Sequence, residues 1–72
     1  MKLSMIEVFQ LQAEDKINHG AKLLIKTEFA EYDYIYNKKE EMFFDRFERN
    51  LCESFFTVNK KFLNHIAEFT NN

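Results

Sequence analysis

Cys52, His65 and Glu68 are the residues of this 72-residue chain whose types and spacing come nearest to chemistry. A thiol and an imidazole become a nucleophile and its base only when ring and sulfur lie within hydrogen-bond reach. Thirteen residues of continuous helix would hold Cys52 and His65 about 20 Å apart along the axis, so a bend or a dimer contact would be needed to join them. A packing thiol is the simpler reading. His65 and Glu68, three residues apart, would share a metal on one helix face. Carboxylate-bridged di-iron bundles use Glu-x-x-His pairs, however, and this chain contains none. His65 therefore reads as a histidine at the margin of a core, and His19, beside the single glycine Gly20, as a residue at a helix C-terminus. A glycine-rich phosphate loop, a Ser/His/Asp pattern and an acidic metal loop are all missing from the sequence. The expectation is a chain without catalysis, cofactor or metal.

Composition narrows the partners. The first 36 residues carry four lysines against six acids and the last 36 carry six cations against six acids, for a net charge of −2. No basic stripe results, so nucleic acid is disfavoured as a direct ligand. Tyr32, Tyr34 and Tyr36 with Lys38 and Lys39 have the residue types of a single-strand binder, but Glu31, Asp33, Glu40 and Glu41 surround them with charge that repels phosphate. One cysteine excludes an internal disulfide and fits a reducing compartment. The opening run, MKLSMIEVF, is short and broken by Glu7, unlike a signal peptide, and no window approaches the ~20 apolar residues of a membrane span. A soluble, cytoplasmic protein is expected.

A chain of this length buries only about 60% of its unfolded surface, so its core is marginal. Nine phenylalanines and three tyrosines offset the short length, since each ring buries roughly 150–250 Å². With no proline and one glycine, turn-formers are scarce, which favours helices over many short strands. Ser4 and Glu7 have the spacing of a capping box, with Leu3 and Val8 as its hydrophobic staple. Helix 1 is expected over about 4–18, closed by Gly20 in the left-handed region.

The stretch EYDYIY, Glu31 to Tyr36, fits two periods. As a strand it puts its tyrosines on one face. As a helix, Ala21, Leu24, Ile25, Phe29, Tyr32, Ile35 and Tyr36 share an arc of about 140° with Glu28. A two-residue turn at Ala30 and Glu31 would join the two strands poorly, because neither residue suits the left-handed conformation. The helical reading gives helix 2 over about 21–37. Asn37 and Glu40 repeat the cap spacing, and Phe43, Phe44, Phe47, Leu51, Phe55, Val58, Phe62, Ile66 and Phe69 form one helical stripe. Helix 3 is expected over about 39–69, kinked or broken near 57–60.

The expected fold is thus all-α, a single-domain bundle of three or four helices over residues 1–72, with dimerisation as one way to cover the long third helix. The alternative is α+β with a short hairpin around residues 22–36. Two secondary stripes, Leu23 and Tyr34 on helix 2 and Cys52, Phe56, Leu63 and Ala67 on helix 3, are the candidate partner-binding residues. The functional expectation is a small inhibitor or adaptor that occludes or bridges a larger protein. Its many Lys, Asn, Ile and Phe residues suit a phage or mobile-element source. The alternative is a dimeric regulator associated with nucleic acid or a nucleic-acid-binding protein, its basic surface composed from Lys38, Lys39, Arg46, Lys60 and Lys61.

Overall fold

The structure, a computed structural model, describes residues 1–53 and 58–72. Strand β1 (Lys2–Ser4) leads directly into helix α1 (Met5–Ala13), and β2 (Lys22–Lys26) and β3 (Glu31–Asn37) follow as a hairpin. Then come β4 (Met42–Phe44), a 3-10 turn at Leu51–Glu53, the one-turn helix α2 (Lys60–Leu63) and β5 (Ile66–Thr70). All pairings are antiparallel, and the sheet order is β1-β5-β2-β3-β4. The all-α bundle is thereby overturned; the α+β alternative with its hairpin is the closer description.

Helix 1 starts where the capping box places it. The Ser4 N–H donates to Glu7 Oε1 at 2.9 Å, and the Glu7 N–H donates to Ser4 Oγ at 3.3 Å. It ends at Ala13 instead of 18, because Asp15 turns left-handed at φ 56°. Gly20 is left-handed as expected, at φ 85°. Its role differs: its N–H donates to the Tyr36 carbonyl at 2.9 Å, leading the chain into β2 instead of closing a helix.

Helix 2 is replaced by β2 and β3, whose register sets Leu23 opposite Tyr34 and Ile25 opposite Tyr32. Turn scarcity does not prevent this hairpin, because its loop has four residues, Thr27 to Ala30, none at positive φ. Helix 3 is replaced by β4, the 3-10 turn, α2 and β5. The Asn37–Glu40 contact exists, with the Glu40 N–H donating to Asn37 Oδ1 at 3.1 Å, but it closes a turn and starts no helix. Asn59 does cap α2, its Oδ1 accepting the Phe62 N–H at 2.9 Å. Phe55 and Thr57, the first residue of the expected break, lie outside the described residues.

One face of the sheet carries the core. Leu23 and Ile25 from β2, Tyr34 and Tyr36 from β3, Phe43 from β4 and Ala67 and Phe69 from β5 are all buried. Met5 and Val8 of α1 and Phe62 of α2 cover them, with the Phe9 and Phe62 rings 6.2 Å apart. Tyr36 meets Phe43 edge-on at 4.9 Å, the geometry that the ring quadrupole prefers. The C-terminal residues clamp the loop after α1. Asn71 accepts the Asn18 N–H at 2.8 Å and donates to the Lys16 carbonyl at 2.9 Å, while Asn72 donates to the Gly20 carbonyl at 2.7 Å.

Candidate functional site

The fold decides which apolar side chains are left for a partner. Because side chains alternate along a strand, the inward set of each strand is fixed by its register, and Leu23, Tyr34 and Ala67 fall in that set at 1%, 2% and 2% exposure. They are core residues of the monomer. Leu63 is half-buried at the end of α2. Cys52 belongs to the 3-10 turn and its side chain, like the whole of Phe56, lies outside the described residues.

The candidate chemistry is dispersed. His65 Nε2 lies 2.8 Å from the Lys26 carbonyl, whereas Glu68 on β5 reaches the Lys26 ammonium at 4.0 Å. His19 Nδ1 accepts the Lys38 N–H at 3.1 Å. Among the described residues no three His, Cys, Asp or Glu side chains converge as metal ligands, and no helix is long and apolar enough to cross a membrane.

The cations considered for a composite basic surface are also separated. Lys38 and Lys39 sit in the turn between β3 and β4, while Lys60 and Lys61 lie on α2. Since β5 runs antiparallel to β2, α2 lies at the other end of the sheet from that turn. Arg46 is engaged with Asp33 through both carboxylate oxygens at 3.1 and 3.2 Å.

Two other surfaces stand out. The first is the end of the sheet where β2 turns into β3. Phe29, in that loop, is 92% exposed, and Phe47, in the loop after β4, is 69% exposed. The two loops share this end because Phe44 pairs with Ile35, so the chain beyond Phe44 runs back along β3 toward Glu31. A hollow of about 300 Å³ there is lined by Glu31, Tyr32, Asp33, Asp45, Arg46, Phe47 and Arg49.

Asp45 organises the second loop. One carboxylate oxygen accepts the N–H groups of Phe47 and Arg49 at 2.8 and 3.0 Å, and the other accepts Arg49 Nε at 3.1 Å. Burial works against its charge, but these donors and the guanidinium prevail and hold the carboxyl below its usual range. The Arg49 guanidinium also stands 5.1 Å from the Phe47 ring centre, a cation–π contact. Phe47 is therefore exposed but held in place.

The second surface is the outer face of the sheet, which neither helix covers. It presents Ile35 at 55% and Ile66 at 56% exposure with half-buried Leu24 and Phe44 between charged neighbours. A shallow groove of about 840 Å³ runs over Ile35 and Phe44, with Asp33, Glu40, Asp45 and Glu48 among its walls. Both surfaces escaped the helical reading. Phe47 and Ile66 sat in its buried stripe, and Phe29 in the arc of helix 2.

Comparison with known protein families, curated proteins and solved structures finds no significant match to this chain.

Proposed function

We propose that this chain is a small non-catalytic binding module, an inhibitor or adaptor, that engages a larger protein by inserting Phe29 and Phe47 into its surface. The observation that carries this reading is the exposure of two phenylalanines on adjacent loops at one end of the sheet. Burying either ring would contribute ~1.5–3 kcal/mol that folding leaves unused. Aromatic anchors of this kind dominate the affinity of protein interfaces when they fill a pocket on the partner.

The loops suit the role. Thr27 closes the first through its hydroxyl and Asp45 the second, so little ordering entropy is lost on docking. Glu28 and Glu31 flank Phe29, which favours a basic rim on the pocket that takes this ring, whereas Arg46, Glu48 and Arg49 give Phe47 a surround of mixed charge.

Site-specific photo-crosslinking in the cells that make the protein tests the reading. A photoreactive residue at position 29 or 47 should yield a discrete adduct with a larger protein, and the same residue at Gln10, on the exposed side of α1, should not. Adducts from position 10 with none from 29 or 47 would overturn the proposal. Phe29→Ala and Phe47→Ala should remove partner binding while shifting stability by less than about 0.5 kcal/mol.

A further inference from the structure

The outer face of the sheet remains unexplained by the aromatic end, and we infer that it is covered by a second copy of this chain, packed face to face about a two-fold axis between β2 and β3. A two-fold interface must be self-complementary. The outward residues of β2 are Lys22, Leu24 and Lys26; those of the adjoining half of β3 are Glu31, Asp33 and Ile35. These are neighbouring columns of opposite sign with an apolar residue in each. An axis parallel to the strands and midway between the columns exchanges them, so that Lys26 of each copy lies over Glu31 of the other, with Leu24 over Asp33 and Lys22 over Ile35. Lys2 and Glu68, directly paired on β1 and β5, bring the outward residues of the strands themselves to three cations and three anions. A foreign partner imposes no such balance.

The area is adequate. Five strands at ~4.8 Å spacing make a sheet about 24 Å wide, in keeping with overall dimensions of 30 × 24 × 19 Å. The broad face thus spans on the order of 700 Å², of which the four strands β5, β2, β3 and β4 overlap about this axis, roughly 600 Å² and at the low end of the ~600–1,000 Å² that each partner buries in a standard interface. The apolar residues Leu24, Ile35, Phe44 and Ile66 supply its centre.

The edges of the sheet offer a poorer route to association. The Ser4 N–H of edge strand β1 is taken by Glu7, and at the other edge Phe44 of β4 is bridged by Asn50. Edges shortened and covered in this way resist pairing with another chain.

Sedimentation equilibrium across a concentration series tests the inference. Wild-type protein should approach twice the 8.8 kDa chain mass, and Ile35→Glu, a change at an exposed position, should return it to monomer with its circular dichroism unchanged. Lys26→Glu and Glu31→Lys should each weaken the dimer roughly tenfold or more. Mixed together, the two variants should pair again, because a heterodimer restores both opposite-charge contacts between chains. Wild-type protein that stays monomeric at millimolar concentration overturns the inference. So does a dimer that survives Ile35→Glu, or a mixture no tighter than its components. Each outcome reads self-association of the purified chain and leaves Phe29 and Phe47 in place, so the aromatic end, although it shares Glu31, is judged separately by its adduct with a larger protein.

Discussion

The Thr27 hydroxyl donates to the Ala30 carbonyl at 3.1 Å and accepts the Ala30 N–H at 3.2 Å, while the Thr27 N–H reaches the same carbonyl at 2.8 Å. One side chain thereby closes the loop between β2 and β3. It satisfies backbone groups that a glycine-bearing two-residue turn would pair directly. Thr27→Ala should cost about 1 kcal/mol in urea unfolding, and Thr27→Ser should recover most of it. Equal losses in both variants would mean that the methyl group, not the hydroxyl, holds the loop.

This loop explains much of what the sequence did and did not disclose. Residues 21–36 satisfy helix and strand periods together, because Ile25, Tyr32 and Tyr36 are apolar members of both patterns. The deciding element was a four-residue turn built on a threonine, a weaker signal than Asn-Gly or Asp-Gly. Local contacts within a few residues were legible: the Ser4–Glu7 box, the Asn37–Glu40 contact and the left-handed Gly20 all occur. Their consequences were not legible, since a cap-like hydrogen bond closes a turn as readily as it opens a helix. Long-range pairing determined the rest. β5 inserts between β1 and β2, a register written in contacts more than forty residues apart. Burial was misread for the same reason: Leu23, Tyr34 and Ala67 look peripheral on a helix but fall on the inward face of a strand.

Leu23 offers a direct measure of that difference. It is 1% exposed and lies opposite both Tyr34 and Phe69. Leu23→Ala should cost ~2–5 kcal/mol, the range for truncating a buried leucine. Ile35→Ala, on the outer face, should cost well under about 1 kcal/mol in the monomer. Urea midpoints measured on dilute protein compare the two, and a smaller loss at Leu23 than at Ile35 would contradict the assignment of inner and outer faces.

Glu41 carries a positive φ of 56° in the turn between β3 and β4, where a side chain is strained and glycine is not. Its carbonyl accepts the Gln12 side-chain amide at 2.9 Å, a contact that substitution leaves intact. Glu41→Gly should raise stability by about 0.5–1 kcal/mol, the relieved strain exceeding the entropy that glycine adds to the unfolded chain. The variant should also lose part of the upward shift of the Tyr36 phenol. Burial raises that group chiefly, and the negative charges of Glu41 and Asp15 raise it further. A lower stability in Glu41→Gly, with the Tyr36 titration unmoved, would refute both halves of the expectation.

Acid should destabilise the fold through two carboxylates in particular. The Ser4 N–H and then the Ser4 hydroxyl lower the Glu7 carboxyl; Asp45, though burial opposes its charge, is lowered by the N–H groups and guanidinium around it. A carboxyl that is more acidic in the folded chain binds fewer protons there than in the unfolded chain. Its stabilising contribution is therefore complete above the unfolded value, near pH 4–5, and is lost as pH falls through the depressed folded value. Urea midpoints should accordingly hold between pH 7 and about pH 5 and fall below it. Glu7→Gln removes one of the two groups and should flatten the decline. If Glu7→Gln and wild type lose stability in parallel below pH 5, the capping box does not contribute through the charge of Glu7, and the start of α1 must be held by the hydroxyl of Ser4 alone.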